Sequence, residues 1–318
     1  MKKILLLTVV ALLPSFLAHS QEADDLGSKY AEVLLVTRAE YASSEEDHLG
    51  NSSFYAVLDG AFNSKLSYSA ELHLLSSCPG DLYKSTGYSD SSNWLDWAYL
   101  SYNFGQFSLS AGKQAQFIAT WENDEYDFDQ YYELASWYWN NFQVYQWGLK
   151  LDWSPSEVHT VGASWMTSPF GERPFASGLY TYSLYWNINP CDWFSDLTTV
   201  NFVQTGEGWL PMLNHGFKFM AGDKWDFVWD GVTEFRNSGG YHGQDTFYVN
   251  WRPTDFWAIQ ARHSMTKGLV DDDTNTWLTG LRVEMYPLES LRVHALAAYD
   301  SMIEAPLFNL GLTWKITL

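Results

Sequence analysis

Along most of this chain apolar residues recur at every second position, and polar stretches interrupt the pattern at regular intervals. The last segment is the clearest. Phe308, Leu310, Leu312, Trp314, Ile316 and Leu318 are apolar, while Asn309, Gly311, Thr313 and Lys315 fall between them. An alternation of period two belongs to a β-strand, whose successive side chains point to opposite faces. Sixteen such segments can be placed, beginning near Ala31, Phe54, Lys65, Trp94, Gln106, Phe142, Val158, Gly178, Phe194, Leu213, Trp225, Asp245, Asp255, Thr276, Ser290 and Leu307.

Their connections alternate as well. Tight turns are expected at Asn63–Lys65, Asn103–Gly105, Ser154–Glu157, Asn189–Asp192, Gly222–Lys224, Arg252–Thr254 and Pro287–Glu289, where Gly, Pro, Asn and Asp reverse the chain. Longer polar loops are expected at Ala42–Ser53, Ser76–Ser92, Gln116–Asn141, Thr167–Ser177, Thr205–Met212, Asn237–Gln244 and Lys267–Asn275. Long and short in register, with an even number of strands, predict an all-β fold: a transmembrane antiparallel up-and-down β-barrel with long extracellular loops and short periplasmic turns. No Pro/Ser/Gly linker divides the chain, so residues 21–318 read as one barrel domain.

The two faces of the strands differ. In the fifteenth, Leu291, Val293, Ala295, Ala297 and Tyr299 oppose Arg292, His294 and Asp300; in the fourteenth, Trp277, Thr279, Leu281, Val283 and Met285 oppose Arg282 and Glu284. Asp226, Asp230, Glu234 and Arg236 share one face of the eleventh. Charges kept to one face imply a wet lumen, and about 16 strands enclose an aqueous channel where eight would fill with side chains.

Aromatic residues make up 18% of the chain, with 17 Trp and 20 Tyr. Trp153, Trp193, Trp225, Trp251, Trp257 and Tyr286 sit near tight turns, the place of an interfacial girdle rather than of a soluble core. The formal net charge of −20 disfavours nucleic acid as a partner, leaving lipid and small solutes or ions. Met1–Ser20 reads as a signal peptide, with Lys2 and Lys3, the apolar stretch Ile4–Leu17, and Ala18-His19-Ser20 before Gln21. Export and a helix-free barrel point to the outer membrane of a Gram-negative cell. Cys78 in a long loop and Cys191 in a short turn would lie on opposite membrane faces, too far apart to bridge.

The hairpin Trp94–Gln114 reads WLDWAYLSYNFGQFSLSAGKQ. Leu95, Asp96, Ala98, Tyr99 and Leu100, then Phe107, Leu109, Ala111, Gly112, Lys113 and Gln114, resemble a strand-turn-strand motif of the phosphate-selective porin O and P family, with one Trp inserted before Ala98. The terminal NLGLTWKI is similar to that family's closing strand. The resemblance implies a 16-stranded porin, usually a homotrimer, whose third long loop folds into the pore. This chain departs from the family in one respect. Anion-selective members line the constriction with Arg and Lys, whereas Gln116–Asn141 carries Glu122, Asp124, Glu125, Asp127, Asp129 and Glu133 with no base.

Folded inward, those carboxylates would favour cations; left outside, they would form a solvated loop. The loop's Trp121, Tyr126, Phe128, Tyr131, Tyr132, Trp137, Tyr138 and Trp139 suit either stacking on sugar rings or packing against the wall. Arg38, Lys113, Lys150, Arg236, Arg262, Arg282 and Arg292 fall on lumen faces. They would either set a transverse field against the acidic loop or form ion pairs with Glu40, Asp152, Glu234 and Glu284. Asp271–Asp273 and the loop acids are oxygen ligands of the kind calcium takes, but EF-hand spacing is missing and no metal is expected. There is no G-x-S-x-G, H-E-x-x-H or C-x-x-C, and His263 and Ser264 lie on opposite faces of a strand. No catalytic residue and no cofactor is expected. The sequence thus predicts a passive diffusion channel for small hydrophilic solutes or ions, with a closed-lumen barrel enzyme or adhesin as the alternative.

Overall fold

In a computed structural model, described for residues 30–43, 48–49, 52–75, 95–118, 121–124, 129–142, 144–171, 175–236, 241–269 and 274–318, the alternating segments close into one sheet. The first eight strands are β1 (Tyr30–Ala42), β2 (Ser53–Ala61), β3 (Leu66–Leu75), β4 (Leu95–Phe104), β5 (Phe107–Ala115), β6 (Tyr145–Trp153), β7 (His159–Thr167) and β8 (Tyr180–Cys191). The others are β9 (Phe194–Thr205), β10 (Gly208–Ala221), β11 (Trp225–Glu234), β12 (His242–Thr254), β13 (Trp257–Lys267), β14 (Asn275–Leu288), β15 (Leu291–Asp300) and β16 (Ala305–Thr317). Each pairs antiparallel with its sequence neighbours, and β1 joins β16 from Leu34↔Thr317 to Ala42↔Asn309, so the barrel has no free edge. Closure satisfies the backbone groups that hydrocarbon would leave unpaired.

The faces fall where the alternation puts them. Phe308, Leu310, Leu312, Trp314 and Ile316 are exposed on the outside, as are Leu281 and Tyr299, whereas Arg292, His294 and Glu284 are enclosed. Trp153, Trp193, Trp225, Trp251 and Trp257 also face out, near the short turns. Tyr286 does not join them. It has the parity of Arg282 and Glu284, and its hydroxyl donates to Glu284 Oε2 at 2.7 Å inside the barrel.

Polar groups are not confined to the inside. Asp196, Thr198, His215, Asp245, His263 and Thr279 share the outward parity of β9–β14. They are partnered within the sheet. Thr198 Oγ1 lies 2.6 Å from His215 Nδ1 and donates to Asp196 at 3.1 Å, Trp229 Nε1 donates to Asp245 at 3.1 Å, and His263 Nδ1 lies 2.5 Å from Thr279 Oγ1. A polar group that brings its own hydrogen bond costs less to place against lipid.

Several connections differ from expectation, and proline explains most of them. Arg252–Thr254 is the end of β12, and the chain reverses at Asp255-Phe256 instead. Likewise Asn189–Cys191 belongs to β8, with the reversal at Asp192-Trp193, and Pro287 and Leu288 belong to β14. Pro190, Pro253 and Pro287 each sit where the register shifts, between Ile188 and Cys191, Trp251 and Thr254, and Met285 and Leu288. A residue with no N–H to donate is accommodated at a bulge, so these prolines mark irregular strand ends rather than turns.

The long loop expected at Thr205–Met212 is absent: β9 and β10 are joined across Gly206-Glu207. Pro211 lies inside β10 beyond the reach of β11, whose ladder begins at Met212↔Glu234. Its carbonyl accepts from Phe235 N at 2.9 Å, so the missing N–H faces the side where β11 has ended. Cys191 closes β8 as a free thiol, while Cys78 lies outside the described residues.

Candidate functional site

The connection between β5 and β6 enters the barrel. It carries a 3-10 turn (Trp121–Asp124) and a short helix, α1 (Trp137–Asn141). Ser136 caps α1, its side chain accepting from Trp139 N at 3.0 Å, which removes one of the unpaired donors of a helix start. Its first residues are pinned to the wall. Asn201 and Asn214 both donate to the Phe117 carbonyl, at 2.9 and 2.7 Å, and Asn214 also bonds the Ile118 carbonyl.

Inside, the loop touches the wall on several sides. Ala135 and Trp139 pack with Val36, Tyr55 and Val57 of β1 and β2; Ile118, Tyr138 and Phe142 with Val203, Met212 and Val232 of β9–β11. Trp121 joins Tyr185, Leu197 and Tyr248, while Tyr131 and Leu134 meet Leu296, Ala298 and Leu307 of β15 and β16. The loop therefore crosses the lumen and buries apolar wall positions that a purely wet lumen would not carry. Room for it is built into the wall. At Gly280 a Cβ would stand 2.4 Å from Leu134 Cδ2 and 2.7 Å from the Ala298 Cβ. Gly280→Val is accordingly expected to push Leu134 off the wall and raise single-channel conductance while the barrel still folds, checked by heat-modifiable gel mobility alongside the conductance.

The candidate carboxylates do not all line the lumen freely. Glu122 is buried; its Oε1 meets Arg262 Nη2 at 2.5 Å and accepts from Ser136 N at 2.9 Å. Glu133 is buried and accepts from Asn309 Nδ2 at 3.1 Å. Asp129 pairs with Arg292 and, at 3.2 Å, with Lys315. Asp124 ends the 3-10 turn with its side chain outside what is described, and Glu125 and Asp127 lie outside the described residues.

The basic residues are equally engaged. Arg38 pairs with Glu40 at 2.6 Å and donates to the Gln130 carbonyl at 2.6 Å. Arg282 lies 3.4 Å from Glu284 and donates to the Asp129 carbonyl at 3.2 Å; Arg292 is 3.6 Å from the same Glu284. The Tyr131 ring is overlaid by Arg38, Arg282 and Arg292 at 4.5, 4.8 and 5.6 Å. Its hydroxyl donates to Glu284 at 3.0 Å, and burial pushes that hydroxyl above the usual tyrosine range, so it stays a donor. Lys150 sits 3.6 Å from Asp152, and Arg236, just past β11, 2.6 Å from Glu234. Lys113 instead reaches the Leu95 carbonyl at 2.5 Å at the start of β4, remote from the Tyr131 cluster.

β13, β14, β15, β16 and β1 are consecutive around the barrel, so Arg262, Arg282, Arg292, Lys315 and Arg38 form one basic sector that holds the acidic loop. Sequence reading missed Lys315, although its alternation in the last strand signals an inward position. It also missed Asn201, Asn214 and Asn309, neutral anchors with no charge to attract notice, and it did not single out Tyr131. Among the described residues no group of three or more His, Cys, Asp or Glu could hold a metal ion.

No protein-family model and no curated protein sequence matches the chain. Solved structures do. A triple mutant of the Rhodobacter blastica porin is 11% identical, covering 91% of this chain and 100% of that one, with a TM-score of 0.61. The outer membrane channel DcaP of Acinetobacter baumannii is 7% identical over 92% and 99% of the two chains, TM-score 0.59. The trimer form of in-vitro folded OmpT, an outer membrane protein of Vibrio cholerae, is 12% identical over 92% and 100%, TM-score 0.58. What this chain shares with them is the fold, the closed 16-stranded barrel of the porins.

Proposed function

We propose that the protein is an outer-membrane porin: a passive, water-filled diffusion channel for small hydrophilic solutes or ions, narrowed by the loop between β5 and β6. The observation that carries this reading is that loop, folded inside a 16-stranded barrel and held by inward arginines. Such a loop sets the size limit, and its carboxylates facing a basic wall screen solutes by charge. Because the loop brings acids and no base into the lumen, the channel prefers cations, moderated by the basic sector. Export follows cleavage of Met1–Ser20, and assembly as a homotrimer accords with the trimer form of the Vibrio cholerae relative in fold. Phosphate selectivity rests on the hairpin resemblance of Trp94–Gln114 alone.

Single-channel conductance in a planar bilayer, with the reversal potential in a KCl gradient, tests the reading. Steady ohmic steps with cation preference are expected. Anion preference would move selectivity to the basic sector and revive the phosphate-type channel. One observation favours the alternative of a closed lumen with an adhesive or enzymatic role: the loop packs against the wall on several sides of the lumen. A folded barrel without conductance would decide for it.

A further inference from the structure

Beneath the start of the loop, on the β6–β11 side, the lumen wall holds polar atoms that no described group satisfies. Trp121 Nε1, the Tyr185 hydroxyl and Thr199 Oγ1 are enclosed without a hydrogen bond, in residues 7%, 5% and 0% exposed. Asp152 Oδ1, Asn187 Oδ1 and Asp230 Oδ2 are unmet acceptors on the same sector. Asp230 Oδ1, by contrast, accepts from the Trp121 backbone N–H at 3.1 Å, which fixes that residue's main chain while its indole N–H stays free. Buried polar groups normally have partners, and a wall that leaves several unmet is suited to something that supplies them.

Aromatic faces lie among these atoms. The rings of Phe117 and Tyr185 are 4.6 Å apart and tilted by 45°, and Trp121 and Tyr185 pack in one cluster with Tyr248. Lys150 Nζ lies 4.7 Å from the Phe117 ring and 5.2 Å from that of Tyr185; Lys218 Nζ lies 5.8 Å from Trp121. Tyr185 is laid flat across β7 by Gly162, where a Cβ would come within 2.0 Å of its Cζ. Lys150 and Asp152 keep 21% and 23% of their side chains exposed, so the sector opens toward the periplasmic half of the lumen.

We propose that this sector seats the ring of a neutral polyhydroxylated solute, a mono- or disaccharide, in transit. The inference rests on the channel reading above and names its substrate class. A hydroxyl both donates and accepts, so neighbouring hydroxyls satisfy Trp121 Nε1 and the carboxylate and amide oxygens together. The apolar face of a sugar ring covers Phe117, the partly buried ring of the cluster. An anion would meet Asp152 and Asp230, a cation would meet Lys150 and Lys218, and an apolar solute would leave every polar atom unmet.

The test is titration of open channels in a planar bilayer with maltose, against polyethylene glycol of similar size as a viscosity control. Maltose is expected to reduce the current saturably, and polyethylene glycol only in proportion to viscosity. Tyr185→Leu should raise the half-blocking concentration roughly tenfold, the equivalent of one lost ring contact with its hydrogen bond. Tyr185→Phe, which keeps the packing, should raise it less, and Trp251→Leu in the outer girdle should leave both conductance and half-blocking concentration unmoved. Maltose acting only as viscosity does, or saturable block by phosphate and not by maltose, overturns the seat and leaves the channel standing. If the folded barrel does not conduct, calorimetry with maltose separates the two readings. Saturable heat keeps the seat while the channel falls, and no heat removes the seat.

Discussion

Leu281→Arg is expected to abolish barrel assembly, whereas Arg282→Leu should still fold. The two residues are adjacent in the middle of β14 and point to opposite sides of the wall. Leu281 is 48% exposed on the outer face, and a guanidinium there costs about 2–4 kcal/mol at the bilayer midplane. That is a large part of the stability of an ordinary domain. Arg282 faces the lumen, and its loss does not strand Glu284. That carboxylate keeps Arg292 at 3.6 Å and the hydroxyls of Tyr131 and Tyr286 at 3.0 and 2.7 Å. Heat-modifiable mobility of membrane fractions reads both variants. The opposite pattern would mean that the facing of β14 is slipped by one residue.

The second large effect is expected at the contact between loop and wall. Arg262→Leu leaves Glu122, only 2% exposed, without the cation at 2.5 Å. Removing one member of a buried ion pair costs about 3–5 kcal/mol, and here the loop can escape that cost by leaving its place. Single-channel conductance should rise severalfold with added flicker, while gel mobility still reports a folded barrel. Adding Glu122→Gln to Arg262→Leu removes both charges yet keeps an acceptor for Ser136 N, and should restore conductance toward the wild-type value. Equal conductance in the single and double variants would show that this pair does not hold the loop.

The strand architecture was legible because two environments, lipid and lumen, alternate along each strand. In β14–β16, where Leu281, Tyr299 and Leu310 face out and Arg292, Glu284 and Asn309 face in, the pattern is clean enough to place most side chains, Tyr286 excepted. It blurs where a third environment intrudes. Val36, Val57, Val203 and Leu296 are apolar on the inside because the loop covers them, a contact that no local period encodes. Asp196, His215 and Asp245 blur it from the other side, polar against lipid but partnered within the sheet. Proline misled for a different reason. At Pro190, Pro253 and Pro287 the missing N–H suggests a break, yet each strand continues through it. The basic residues of the site were legible as inward charges. Which acid each would meet was not, since Arg262–Glu122 and Arg292–Asp129 join residues far apart in the chain.

The ladder between β1 and β16 has a consequence for how the molecule is made. Its partners, Leu34↔Thr317 through Ala42↔Asn309, are among the first and last described residues of the chain, and Val33 and Leu318 exchange backbone bonds beside them. Without β16, β1 and β15 would each present a row of unpaired N–H and C=O groups and the sheet would enclose no lumen. A variant cut after Asp300 is therefore expected to remain an open sheet, however many of the other strands it forms.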